Sequence, residues 1–455
     1  MFINKNELEF SEWWNKIIFE GGLADNRYKI KGLFVWMPYG FSLMKMVKKN
    51  WDNLFEQNNI SELYFPLFVP QEYAKQNESW WNSFKEQAFY VLGYFDNEKK
   101  VFLRPTGEPA MYPMFSLWIR SHRDLPLRVY ETVSSFRNET KSTKTFVRDV
   151  EIGPWYEIHT VHSTREEAEA EIELGIKMND IIFDNLAVSR LKVRKPIQDC
   201  FPGSVGAIEF YTLLNDKLVE NASCNNLGQA YAKAFNIKFF DENEKEQFAW
   251  QTCTGNGERF LSAIIGNHSD DKGLVLPPVV APIQVAIIPI KISVDEINKL
   301  NLDFSNLRVK EFPVGKSIGD VRYKTEKMGI PLRIEIGPNE ISEKKAVLIW
   351  RNGKKESCLF SDLNKVVVTG LDNFQKDLRL ASENEMIKRI KICDNKIDAK
   401  KADIAIIGWC GSAECSDWLQ TDLEKELIGM TLEKKKVKCL HCEKDGEATY
   451  FSKSY

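Results

Sequence analysis

The apolar positions run through several changes of period. Glu9–Gly21 (EFSEWWNKIIFEG) carries Phe10, Trp13, Trp14, Ile17 and Ile18 at helical spacing, which predicts an amphipathic helix. Val35–Gly40 (VWMPYG) predicts a turn before a second such helix, Phe41–Gln57. Leu63–Pro70 alternates apolar residues and stops at proline, so it reads as a strand, and Met111–Arg123 reads as a helix. Leu127–Phe136 is apolar and is closed by Arg137 and Glu139. A polar loop, Thr140–Thr145, follows, and the chain returns through Val147 and Arg148 to a segment bearing Glu151, Glu157 and His159. This predicts two strands joined by a mobile loop, with charges on the inner face. Ser163-Thr164-Arg165-Glu166-Glu167 opens a charged helix, Thr164–Ala187. Asp199–Phe210 reads as loop then strand, and Ser223 and Asn225 share a face if Leu218–Gln229 is extended. Gly255 and Gly257 lead into a helix at Phe260–Gly266.

Beyond Leu274–Pro282 the pattern becomes α/β. Strands are predicted at Ile283–Ile290, Leu307–Phe312 and Leu332–Ile336, with helices near Ser293–Leu300 and Asp320–Met328 between them. A final unit starts at about Ser382, where lysine-rich helical sequence precedes a strand-like run at Ala402–Gly408.

Length and composition change this picture in four ways. With 455 residues there is room for two or three domains. The formal net charge of -3 supplies no global attraction to nucleic acid, so any RNA contact rests on local patches such as Lys434-Lys435-Lys436 or Lys400-Lys401. No apolar run approaches the roughly 20 residues of a membrane span, and the opening MFINKNELEF lacks the apolar core of a secretory signal, so a cytoplasmic protein is expected. Five of the nine cysteines, at 200, 224, 253, 358 and 393, are scattered and read as small buried thiols. Cys410 and Cys415 form C-x4-C, and Cys439 and Cys442 form C-x2-C. Two such pairs suit a tetrahedral four-thiolate zinc site of structural type, with His441 a competing ligand. Disulfides are the alternative, and a reducing compartment argues against them.

Other residues carry chemistry. Arginines facing one another across a loop suit a polyphosphate, because guanidinium forks match phosphate oxygens in pairs; a solvated surface hairpin is the alternative. Thr106 and Glu108 share a face in an extended segment and can hold an ammonium group or a secondary amine; helix capping by Thr106 is the structural alternative. Glycines 255 and 257 let backbone approach a ligand, with Arg259 at the helix start.

Taken together, F-R-x-E-T, a loop, R, E and then E-x-H-T resemble motif 2 of class II aminoacyl-tRNA synthetases in the prolyl-tRNA synthetase form. Leu103–Glu108 (LRPTGE) resembles that family's R-P-T-S-E segment, Gln251–Pro278 its motif 3, and Phe451–Tyr455 (FSKSY) the tail of its archaeal and eukaryotic branch. By position Leu63–Pro70 resembles motif 1, whose proline would be Pro66 and which implies a homodimer.

The resemblance implies a mixed α/β (α+β) protein: an antiparallel-sheet catalytic domain at 1–282, an α/β anticodon-binding domain at 283–381 and a small zinc domain at 382–455. It implies an ATP-dependent ligase that activates proline as an adenylate and transfers it to tRNA. Arg137 and Arg259 would be the catalytic pair, Arg137 gripping the α-phosphate and carboxylate and Arg259 covering the adenine and outer phosphates. Glu139, Arg148, Glu220 and Ser223 would complete the ATP site. Thr106, Glu108, Glu157, His159, Asn225 and Gly257 would line the amino-acid pocket. Magnesium would bridge the phosphates, with Glu151 near it.

Several positions depart from the family pattern. Gly257 stands where it has serine, Glu220, Ser223 and Asn225 where it has glutamine, threonine and histidine, and Val150 where it has a second arginine. In Phe312–Arg333 only Gly329, Pro331 and Arg333 of the anticodon-reading pattern remain. These departures imply altered selectivity: proline use weakened or matched by another small amino acid or proline analogue, and less reliance on the proline anticodon. A paralogue charging another amino acid or an unusual tRNA is one alternative. An inactive RNA- or protein-binding relative is another, and retention of the four arginine and glutamate ATP contacts argues against it.

Overall fold

A computed structural model describes residues 7–93, 100–139, 143–314 and 317–455, the side chains of residues 7 and 8 excepted. The first predicted helix spans Glu7–Glu20 and buries Phe10, Trp14, Ile17 and Ile18. Its Trp14 indole donates to the carbonyl of Thr145 at 3.0 Å, pinning the end of the hairpin loop. The second helix begins earlier than its pattern suggests, at Pro38, because proline is pre-set for the first turn, and it runs to Gln57. Thr140, Lys141 and Ser142 of the predicted mobile loop lie outside the described residues.

A twelve-stranded sheet organises the described chain. At its centre Leu127–Phe136, Glu151–His162, Trp250–Asn256, Lys217–Gly228, Gly206–Leu214 and Leu191–Arg194 lie side by side, each antiparallel to the next. The helices Arg165–Asn185, opened by a Thr164/Glu167 capping box, and Arg259–His268 pack against it. The sheet then continues into the C-terminal part of the chain. Leu191–Arg194 touches Glu426–Met430 through a bridge at Arg194 and Met430; next come Asp445–Ser452, Ile404–Trp409 and Ile390–Ile392. Asp445–Ser452 is thus an interior strand, with Lys436–Lys438 pairing to its end.

A separate five-stranded sheet carries the α/β pattern. Val309–Glu311, Val285–Pro289 and Leu332–Ile336 are parallel, and Lys345–Trp350 and Lys355–Leu359 add antiparallel strands. The 27-residue helix Leu363–Arg389 runs from this sheet to the C-terminal strands and spans the predicted boundary at 382.

Three local readings are corrected. Of Leu63–Pro70 only Phe68–Pro70 is strand, since Pro66 removes a donor from the middle of the run. The predicted helix Met111–Arg123 occupies Glu108–Trp118 instead. Thr106 does not cap it: Gly107 is the N-cap residue, and the Thr106 hydroxyl donates to Glu108. No helix among the described residues is long and apolar enough to cross a membrane.

Candidate active site

Two cavities stand out. The larger, about 690 Å3, lies among the C-terminal strands, and its wall is mostly apolar. The smaller, about 380 Å3, opens on the face of the central sheet and gathers arginines and buried carboxylates. Chemistry, rather than volume, makes the second the candidate site.

Its outer end is basic. Arg137 leaves the strand Leu127–Phe136 at the hairpin loop and donates from Nε to the carbonyl of Pro105 at 3.2 Å, with its guanidinium 5.6 Å from the Phe84 ring centre. Burial and then the neighbouring Arg259 lower its pKa; Glu220, Glu157 and Glu139 oppose them. No carboxylate of the described residues lies within 4 Å of it, so a half-buried cation faces the cavity without an ionic partner. Arg259, at the first turn of its helix, donates from Nε to Val147 O and from Nη1 to Glu220 O, both at 3.0 Å. It therefore ties the hairpin loop to the strand Lys217–Gly228. Glu220 and Ser223 stand on that strand and line the cavity, and Asn225 donates to the Ser223 hydroxyl at 3.0 Å. Glu139 and Arg148 flank the hairpin loop; both are half-buried, and neither lines the cavity. Glu151 is exposed at the start of its strand.

The inner end is acidic and closed. A buried ion pair between Arg104 and Glu131, 2.6 Å long, holds the Arg104–Glu108 segment to the sheet. Glu108 accepts from the Thr106 hydroxyl and, at 3.2 Å, from the Trp80 indole, which also donates to Thr106 at 2.9 Å. Glu157 accepts from the Gly107 N–H at 3.0 Å and lies 2.9 Å from His159 Nε2. His159 Nδ1 lies 2.9 Å from the Tyr112 hydroxyl. Burial, and then the charge of Glu157, raises the pKa of Glu108. Burial opposes a charge on His159, but Cys253 and Glu157 outweigh it and hold the imidazole well above its usual value. Thr106, Glu108, Glu157, Asn225 and Gly257 reach the cavity wall, and His159 sits behind Glu157.

Residues not singled out by sequence complete the wall, among them Phe84, Trp155, Phe201 and Cys253. Two were within reach of strand alternation. Trp155 lies two residues before Glu157, and Cys253 two before Gly255, each on the same face. Phe84 and Phe201 come from distant segments and had no local signal.

The structure also accounts for Gly257. A Cβ there would stand 2.1 Å from Trp155 Cβ and 2.7 Å from its Cα. Gly257→Ser is therefore expected to lower stability by about 1–3 kcal/mol through overpacking. Thermal unfolding checks this, and an unchanged midpoint would remove the steric account.

Below Arg259 two buried carboxyls, Asp149 and Glu258, interact; Asp149 accepts from Phe146 N–H at 2.6 Å and Glu258 from Gly153 N–H at 2.7 Å. Burial pushes Asp149 up to about 8. A carboxyl whose folded pKa is raised loses its stabilising proton uptake as pH climbs from the unfolded value toward the folded one. Asp149→Asn keeps the acceptor and removes this dependence. Its melting-temperature gain over the parent should grow between about pH 4 and pH 8. A gain independent of pH would contradict that.

Comparison with known proteins follows the same lines. Residues 89–268 match the tRNA synthetase class II core domain (G, H, P, S and T), and residues 284–369 match an anticodon binding domain. The chain is 36% identical over 467 residues to a proline--tRNA ligase of Methanoculleus marisnigri, covering 98% of this chain and 97% of that protein. A proline--tRNA ligase of Thermoplasma acidophilum is 36% identical over 472 residues, with 99% and 100% covered. The chain belongs to the proline--tRNA ligase family. It is a class II aminoacyl-tRNA ligase, as its motif order implies. Among solved structures, Giardia lamblia prolyl-tRNA synthetase in complex with prolyl-adenylate superposes with a TM-score of 0.93 at 28% identity, covering 100% of both chains. Cryptosporidium parvum prolyl-tRNA synthetase complexed with L-proline and AMP gives 0.92 at 28% identity, covering 100% of this chain and 97% of that one.

Proposed function

We propose that this proline--tRNA ligase activates proline with ATP at the 380 Å3 cavity and passes the prolyl group to tRNA. The observation that carries the reading is the polarity of the cavity: an unpaired, half-buried arginine at one end and a closed carboxylate pocket at the other. A secondary ammonium has two N–H donors, and Thr106, Glu108 and Glu157 offer acceptors for them. The proline carboxylate then points toward Arg137, where it meets the α-phosphorus of ATP. Attack forms the carboxyl–phosphorus bond and expels pyrophosphate; a ribose hydroxyl of tRNA later takes the acyl group and releases AMP. Arg137 neutralises the charge that builds on the α-phosphate and on the carboxylate, which is where positioned cations accelerate most. Arg259, held by Val147 and Glu220, gives the adenine and outer phosphates a fixed cationic cover.

At the nucleotide end Glu220 and its neighbour Glu209 stand on the wall and Glu151 at the strand start. That suits magnesium held mainly by phosphate oxygens and water. Magnesium would add charge neutralisation. The four C-terminal thiols lie within 4.8 Å of one another, which suits a closed zinc site. His441 stacks on Trp418 with ring centres 4.1 Å apart, which supports a set made of thiolates alone. A cytoplasmic homodimer, divided into domains at 1–282, 283–381 and 382–455, is part of the same proposal.

Two departures from the family pattern have local partners: Asn225 bonds Ser223, and Gly257 seats Trp155. In the anticodon stretch, whose residues 315 and 316 lie outside the described residues, Arg333 is tied to Glu335 at 3.0 Å. This supports compensation within the pocket and proline as its substrate. Specificity constants for the standard amino acids in ATP–pyrophosphate exchange test it. Proline should lead, and another amino acid equalling it would favour the relaxed-selectivity reading.

A further inference from the structure

At the floor of the amino-acid pocket three metal-binding side chains converge: Glu108, His159 and Cys253. All three are buried, and one donor atom from each lies within 4.8 Å of the others. Cys253 Sγ is 3.8 Å from His159 Nε2 and 4.0 Å from Glu108 Oε1. The other Glu108 oxygen is occupied by Thr106 and Trp80, so Oε1 is the one turned toward the thiol. None of the three touches the C-terminal cysteine cluster, and the chemistry above assigns the thiol no task.

We propose that these residues form a second metal site, which takes a thiophilic divalent cation such as Zn2+ or Cd2+ and excludes proline while occupied. Bonds of about 2.0–2.3 Å in a tetrahedron put ligand atoms roughly 3.3–3.8 Å apart, so the two spacings from the thiol need to close by only a few tenths of an ångström, while Glu108 and His159 lie within 4.8 Å of each other. The set mixes thiolate, imidazole and carboxylate, which zinc accepts and magnesium does not. The imidazole is already oriented. With Nε2 on the metal, Nδ1–H donates to the Tyr112 hydroxyl at 2.9 Å, the supporting hydrogen bond that metal-bound histidines use. Nε2 gives up its bond to Glu157, which lies 2.9 Å away with its other oxygen buried and unbonded, and this places a further carboxylate beside the cation. Three protein ligands leave one coordination position open to the cavity.

Exclusion of proline rests on the reading that Glu108 receives its ammonium, since one carboxylate cannot serve both. Zinc binding therefore inhibits the enzyme at the amino-acid site and leaves the nucleotide end intact.

The test uses the full protein with its C-terminal cysteine site loaded with zinc. Cobalt(II) is titrated in, and the near-ultraviolet cobalt–thiolate band of the parent is compared with that of Cys253→Ser and Cys253→Ala. The parent should show a band that both variants lack. Proline at 100 times its own dissociation constant should raise the apparent cobalt dissociation constant about 100-fold. In exchange assays zinc should inhibit competitively with proline and not with ATP. If the parent and the variants give the same band, there is no second site and the proposal falls, whatever the role of Glu108. If a Cys253-dependent band persists unchanged under saturating proline, the site stands, but exclusion falls and so does the placement of the ammonium on Glu108. Should the variants fail to fold, competition by proline for cobalt on the parent decides the matter alone.

Discussion

Arg137→Ala should reduce ATP–pyrophosphate exchange by about two to three orders of magnitude while leaving the unfolding midpoint close to that of the parent. The guanidinium is half-buried, makes one hydrogen bond, to Pro105 O, beside the Phe84 ring, and has no ionic partner among the described residues. Removing it deletes an unpaired, partly desolvated cation and a single hydrogen bond, so the fold loses little. The transition state loses the group that faces both the carboxylate and the α-phosphate. Lysine should not rescue it, because a point charge cannot bridge two oxygens as a planar fork does. Arg259→Ala should be similarly inactive but less well ordered, since it also frees the Val147 and Glu220 carbonyls that Arg259 ties together. Near-parental exchange in Arg137→Ala would remove the assignment of the basic end to ATP.

The other large effect concerns the cysteine cluster. Protein purified under reducing conditions should carry one tightly bound zinc per chain, lost in Cys415→Ser and on prolonged chelation. Binding free energies of structural zinc in small domains are on the order of 10 kcal/mol, and that energy is folding energy. Its loss should appear as fast amide exchange in Glu426–Met430 and Asp445–Ser452, which share the C-terminal core with Cys415 and Cys439. The five strands and helices of residues 285–359 form a sheet of their own and should be unaffected. Elemental analysis without metal, or uniform exchange after chelation, would contradict the assignment.

How much of this was legible beforehand depended on the range of each interaction. The paired strands around the hairpin loop, the capped helix at Thr164 and the strand at Leu332–Ile336 follow from local periodicity, and the structure has them. Glu157 and His159 were legible because strand alternation puts them on one face, whereas Thr106 and Glu108 were legible only as motif spacing: they meet at a bend and a helix start, not along the extended segment their spacing predicts. What was not legible is what reaches the site from far along the chain. Trp80 bonds Thr106 and Glu108, and nothing in ESWWNSF distinguishes that tryptophan from one filling a core. The reason for Gly257 lies in Trp155, a contact across the sheet that no window around position 257 contains. The continuity of the central sheet into the C-terminal strands rests on a bridge between Arg194 and Met430 and a parallel one between Leu218 and Ser454, residues too far apart for any pattern to link.

That continuity bears on how the protein is made. Asp445–Ser452 follows both of its neighbours in the sequence, yet it lies inside the sheet, between Ile404–Trp409 and Glu426–Met430. As the nascent chain leaves the ribosome, those two strands emerge first and must wait with open edges for the strand that joins them. Unpaired edges of this kind recruit other chains. A ribosome stalled near residue 435, or a messenger truncated there, would release a protein with its catalytic residues all present and a sticky flank beside them. Chaperone demand during synthesis should therefore concentrate in the interval between the emergence of Glu426–Met430 and that of Asp445–Ser452.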